Sequence, residues 1–245
     1  MSAAPARAPR KAEGYLDRSR SLAESFLAVA PLLALYEIGI AISRSNTANG
    51  ADVLLRRIFD LLGPVAGPLA WRVLLAVAFA AAAVEVLRRK YPIHRDLLIL
   101  SVEGLAYGAL LGPMALFLQA KLTPFFAIGG MPDQGIFLNA VHSIGAGVYE
   151  ELLFRLGLLS ALFALFRLNS AALDSSSWVA AGAAVVVSAV VFSGFHHWPS
   201  GEPFVLSTFV FRSIAGVLLG VLFILRGLGV AVYTHAAYDL LLVFR

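Results

Sequence analysis

Apolar residues run through this chain in seven long blocks, covering residues 22–42, 69–87, 97–120, 136–166, 178–195, 205–225 and 228–244. Each block is near the ~20 residues a helix needs to cross the hydrocarbon core of a bilayer. A backbone in that core must satisfy its own hydrogen bonds, so such blocks predict transmembrane helices. Residues 51–62, ADVLLRRIFDLL, follow another pattern. Val53, Leu54, Leu55, Ile58, Leu61 and Leu62 favour one helical face, with Asp52, Arg56, Arg57 and Asp60 mostly on the other. That segregation predicts an amphipathic helix lying in the membrane interface, with a short eighth span as the alternative. No repeat and no soluble-domain boundary interrupts the series. The expected fold is an all-α polytopic membrane protein with about seven transmembrane helices. It divides into a tail over 1–21, N-terminal helices over 22–135 and a C-terminal helical core over 136–245.

Composition strengthens that expectation. The 245 residues are 60% hydrophobic and only 14% charged, where a soluble domain carries about 25% charged residues. The absence of cysteine excludes disulfides, iron–sulfur clusters and thiol catalysis. The net charge of +4 is modest, and no basic stripe interleaved with aromatics points to nucleic acid. Arg7, Arg10, Lys11, Arg18 and Arg20 make the first twenty residues basic, and no small-residue cleavage site follows. A disordered cytoplasmic tail before a retained first span is expected rather than a cleaved signal peptide. With the N-terminus inside, eleven Lys and Arg fall in inner segments against six in outer ones, and RRKYPIHR is the strongest inner loop. The positive-inside rule therefore favours that orientation.

Charges inside the blocks demand a reason, because an ionised side chain at the bilayer centre costs roughly 2.5–3.5 kcal/mol even on a lenient scale. GVYEELLFRLGLL carries Glu150, Glu151 and Arg155. Glu151 and Arg155 are four apart and share a helical face, so they can pair. Glu150 lies about 100° around the helix and is expected to face a polar cavity. Helix-to-helix polar contacts are the plainer alternative for all three. His196 and His197 close the fifth block, and His235 and Asp239 stand four apart in the seventh. An intramembrane histidine with a carboxylate one turn on is a functional-site candidate, the carboxylate orienting the imidazole.

Glu150, His196 and His235 would supply the His2Glu donor set of a catalytic zinc site with an open water position, one of two routes these residue types offer. The same groups also work without metal, Glu150 acting as general base on water with a histidine assisting. Both routes end in hydrolysis of an acyl bond. A proton relay or transporter built on the same residues is the rival reading, but it predicts inverted repeats that the sequence lacks. A non-catalytic membrane scaffold is the third. Glu37, Glu103, Arg212 and His142 also sit in apolar blocks and are expected to serve helix packing, while His94 sits in a basic loop.

EELLFR, FSGFH and HAAYD occur once each, in this order, within residues 136–244. They match the Glu-Glu-x-x-x-Arg, Phe-x-x-x-His and His-x-x-x-Asn/Asp motifs of one family. The sequence resembles the CPBP intramembrane proteases, which include CAAX prenyl endopeptidases and bacteriocin-processing or immunity proteins of the Abi type. The resemblance implies that Glu150 activates the attacking water with His196. It implies that His235 and Asp239 stabilise the oxyanion or join a metal site, zinc being the ion expected. Glu151 and Arg155 would organise the helix, and Phe192 sets the spacing that ranks His196 above His197. Asp239 stands where the motif also admits Asn. An ionised carboxylate only accepts hydrogen bonds, which assigns Asp239 to orienting His235 or to a metal. The expected partners are the bilayer and a membrane-anchored protein or peptide cut near its C-terminus, as by the myxosortase-like bacterial members. His196 comes at the outer end of its block, so the site is expected between the midplane and the outer leaflet.

Overall fold

The computed structural model describes residues 14–43, 48–122, 134–173, 177–198 and 203–244. Among them the only regular structure is helical. A short α1 (Tyr15–Arg18) precedes α2 (Leu22–Ser43), α3 (Gly50–Asp60), α4 (Ala66–Arg89) and α5 (Ile93–Leu122). Next, α6 (Ile136–Gly145) runs unbroken into a π-helical segment (Ala146–Leu159) and then α7 (Ser160–Leu173). The chain finishes with α8 (Ser177–Phe195), α9 (Leu206–Arg226) and α10 (Leu228–Val243). Five helices, α2, α4, α5, α8 and α9, are long and apolar enough to cross a membrane. The other two blocks differ from that standard for separate reasons. The π-helical segment divides the fourth block, and α10 is apolar but only 16 residues long.

α10 lies at the centre of the packing, and small residues let its neighbours close on it. A Cβ on Gly108 of α5 would stand 2.6 Å from the Ala237 Cβ and 2.9 Å from the Thr234 carbonyl oxygen. On the opposite side, a Cβ on Gly147 of the π-helical segment would stand 2.7 Å from the Ala236 nitrogen. Where lipid removes any hydrophobic drive between helices, such close backbone approach supplies the dispersion contact that holds them. His235 sits between these two contacts, so its position is set by backbone rather than by flexible side chains.

α3 docks on a second cluster, in which Tyr36, Trp71, Val148 and Tyr149 are buried. The Tyr36 and Tyr149 rings meet edge to face at 5.3 Å, a favoured aromatic geometry. The amphipathic expectation for this helix changes in one respect. Asp52, assigned to its polar outer face, is buried and accepts the Tyr36 hydroxyl at 2.9 Å. Ile58, Leu61 and Leu62 are exposed instead. A hydroxyl and a guanidinium within reach make the inner face the lower-energy place for the carboxylate.

Positions 1–13 of the expected basic tail, together with Arg44, Pro199, Ser200 and Arg245, lie outside the described residues. Within the described part of that segment, residues 15–18 form α1. α1 is tied down because Arg18 donates from Nε and Nη2 to both oxygens of buried Asp96 on α5. Tyr15 donates to Glu103 at 2.7 Å, and Arg226 donates to the same carboxylate through two nitrogens.

Candidate active site

The π-helical segment carries Glu150, Glu151 and Arg155 in wide turns. Its end shows the spacing directly, with the Ser160 backbone N–H reaching the Arg155 carbonyl five residues back. Segments of this kind are rare and gather at functional sites. Two serine hydroxyls bond carbonyls of this segment. Ser188 of α8 donates to the Phe154 carbonyl at 3.0 Å, and the Ser160 hydroxyl donates to that of Arg155 at 3.1 Å.

The two adjacent glutamates face different surroundings. Glu151 is fully buried, and its Oε1 stands 3.0 Å from Arg155 Nη1 and 2.7 Å from His235 Nδ1. Arg155, buried as well, also donates to the Gly216 carbonyl at 3.3 Å and lies 4.5 Å from the Phe192 ring centroid. An enclosed charge needs all of these partners, because desolvation otherwise outweighs the pair's attraction. Phe192 in turn meets the His196 ring at 5.0 Å and the His235 ring at 6.0 Å. One phenyl therefore packs against the cation and both imidazoles.

Glu150 lines a cavity of about 260 Å³ together with His196, His235 and Asp239. His196 Nδ1 lies 3.0 Å from the Phe192 carbonyl oxygen, which only accepts, so Nδ1 carries the hydrogen. His235 Nδ1 donates likewise to Glu151 at 2.7 Å. The outer bond fixes each ring and turns its Nε2 inward. His196 Nε2 lies 3.7 Å and His235 Nε2 3.9 Å from one atom, Oε2 of Glu150. That oxygen is buried and has no hydrogen-bond partner.

Other expected residues fall elsewhere. Asp239 Oδ2 is 3.5 Å from His235 Nε2. The Nδ1 hydrogen thus goes to Glu151, not to Asp239, and Asp239 faces the reactive nitrogen instead. His197 turns away from the cavity and packs its ring 5.2 Å from that of Phe204. His142 and Arg212 line the cavity. Glu37 pairs with Arg56 at 2.7 Å, and Glu103 with Arg226 through both oxygens. One cavity residue, Asn49, escaped the sequence reading. Its Nδ2 donates to Glu150 Oε1 at 3.0 Å. Its place just before an amphipathic helix is a helix-capping signal, and nothing local tells which distant residue the amide reaches.

In donor chemistry the set suits zinc, with two imidazoles bonded at their outer nitrogens and aimed inward beside a carboxylate. In spacing it does not. Among the described residues no three His, Cys, Asp or Glu side chains stand close enough to hold an ion.

Residues 132–241 match the family described as type II CAAX prenyl endopeptidase Rce1-like. No curated protein and no solved structure matches the chain. The matched stretch holds Glu150, Glu151, Arg155, Phe192, His196, His235 and Asp239, and excludes Asn49. Residues 132–241 are therefore an Rce1-like region, in keeping with the CPBP membrane proteases that the three motifs resemble.

Proposed function

We propose that this protein is an intramembrane endopeptidase that hydrolyses a peptide bond in a membrane-associated protein or peptide, near its C-terminus. The observation that carries the reading is the convergence of two imidazole nitrogens on one unbonded oxygen of Glu150, within a cavity. Glu150 takes a proton from water at Oε2 while the water oxygen attacks the scissile carbonyl carbon, and returns the proton to the departing amine. His196, held by the Phe192 carbonyl, accepts the water's other O–H and orients it. His235 in its protonated form donates Nε2–H to the tetrahedral oxyanion, with Glu151 and Asp239 balancing the imidazolium. Asp239 cannot itself donate to the oxyanion while ionised. Positioned acid–base groups of this kind contribute about 10²–10⁴-fold in rate.

Zinc would be held by Glu150, His196 and His235 only if these side chains drew closer together than they stand here and both imidazoles were neutral, and it would then supply a more acidic water. Loss of cleavage with 1,10-phenanthroline and recovery with added zinc would favour the metal. Indifference to the chelator would favour the glutamate alone.

Seven spans, an inner N-terminus and an outward-opening cavity complete the proposal. They are supported by eleven inner against six outer basic residues. Asn49 follows the end of α2 and His196 the end of α8, two helices that run outward in this topology. A bacterial cytoplasmic membrane and exported, membrane-anchored substrates suit that orientation.

The test is Glu150→Gln in cells at matched protein levels, comparing the C-termini of membrane-anchored proteins with wild type. Defined proteins should accumulate as longer precursors. Unchanged processing together with loss of an ion or solute flux would replace the protease by a relay.

A further inference from the structure

We infer that Asn49 is a positioning residue of this site, its amide holding one oxygen of Glu150 so that the other is the base. The inference rests on the protease reading and extends it to a segment outside the matched residues 132–241.

The amide can point only one way. Asn49 Oδ1 accepts the Ala51 backbone N–H at 2.9 Å, capping α3. Nδ2 is therefore the end that faces Glu150, and it donates to Oε1 at 3.0 Å. The backbone around it is held too, because the Asn49 N–H donates to the Tyr36 hydroxyl at 3.1 Å. That hydroxyl donates onward to Asp52, whose other oxygen takes Arg56. Arg56 reaches Glu37, and Glu37 accepts the Tyr149 hydroxyl at 2.7 Å, one residue before Glu150. The chain of bonds thus leaves α3, crosses α2 and returns to the π-helical segment. Asn49 is fixed relative to the very residue it contacts.

The consequence is an asymmetric carboxylate. A glutamate free at its end would offer either oxygen, and in some rotamers neither would face the imidazoles. With Oε1 held by the amide, Oε2 is the one left beside His196 and His235. α3, by sequence only an interfacial helix, becomes part of the catalytic unit through the residue that caps it.

Capping and positioning can be separated by substitution. Aspartate and serine cap a helix about as well as asparagine, but neither brings an N–H donor to Glu150. Asn49→Ser removes the donor, and Asn49→Asp sets a carboxylate against Glu150. The assay uses the full-length protein in liposomes and, as substrate, the precursor that accumulates most in Glu150→Gln cells. Asn49→Ser should keep the wild-type melting temperature and KM while kcat falls 10–100-fold, the range for groups that orient a reacting residue, and Asn49→Asp should lower kcat at least as far. Asn49→Ser within twofold of wild type would reduce Asn49 to a cap and overturn the inference. A raised KM at unchanged kcat would make it a substrate contact and overturn it equally. If Glu150→Gln cells accumulate no precursor, the protease reading fails and this inference with it.

Discussion

Where α2 and α5 begin, Arg18 faces Asp96, and near α1 Arg226 faces Glu103, each guanidinium bonded to both oxygens of its carboxylate. Beyond the ends of α2 and α8, Asn49, His196 and Glu150 meet with His235, and Glu150 Oε2 has no hydrogen bond at all. Both regions bury charge among apolar helices, so burial of charge alone does not mark a reactive centre. The first region spends its charges on each other and fastens α1 to the bundle. The second holds its groups rigidly by their outer atoms and leaves inner atoms unmatched around a cavity. Unpartnered buried atoms occur in both, Glu24 beside Asp96 included, so what distinguishes the second region is that its unmatched oxygen meets two imidazoles at a cavity.

The sharpest way to break this comparison is to neutralise one carboxylate in each region. Glu150→Gln should lower substrate processing by about 10²–10⁴-fold, whereas Glu103→Gln should leave it near wild type. Quantitative immunoblots of precursor and product, at matched protein levels, decide this. Equal losses from both would mean that charge burial as such, and not Glu150, sustains activity. The second effect concerns stability. Arg155→Met leaves Glu151 enclosed with only His235 beside it. Breaking a buried pair from one side costs about 3–5 kcal/mol, so thermal unfolding in detergent micelles should show a severe loss. A variant as stable as wild type would mean that water reaches Glu151.

How much of this was legible in the sequence depends on the distance over which each contact acts. The pairing of Glu151 with Arg155 follows from a four-residue spacing, and the same spacing from Phe192 separates His196 from His197. The contact between Glu151 and His235 spans 84 residues. It exists only because Gly108 and Gly147 let α10 settle between α5 and the π-helical segment, and no periodicity in a single block encodes that. Asn49 shows the same limit. Its capping role is local, but its bond to Glu150 spans 101 residues and depends on how α3 docks. The π-helical turns are equally silent, since nothing in AGVYEELLFRLGLL signals a wider hydrogen-bond spacing than that of an ordinary helix. Asp52 was misplaced because amphipathicity assumes that polar groups seek water, and here Tyr36 and Arg56 offer a drier alternative.

The docking of α10 can be tested on its own. Gly108→Leu puts a branched side chain where even a Cβ would stand 2.6 Å from Ala237. Overpacking of this kind costs about 1–3 kcal/mol. Because His235 lies two residues from Ala237, processing should fall more than the stability loss explains. A variant that loses stability but processes normally once folded would show that the position of His235 does not depend on this contact.

The smallest expected effect comes from the half-exposed link in the network behind Asn49. Glu37 and Arg56 pair at 2.7 Å with side chains 45% and 39% exposed, a setting in which ion pairs are worth about 0.2–1 kcal/mol. Glu37→Gln removes the charge but keeps an oxygen to accept the Tyr149 hydroxyl. Stability in micelles should therefore fall by less than about 1 kcal/mol at low salt. The difference from wild type should shrink as salt rises, because the Debye length drops from about 10 Å at 0.1 M to 3 Å at 1 M. Arg155→Met should show no such convergence, since its surroundings exclude the screening ions. If Glu37→Gln instead proves as damaging and as insensitive to salt as Arg155→Met, then the Arg56 network is enclosed by the bilayer. α3 would then lie deeper than the interface, and the cavity it borders would open to lipid rather than to water.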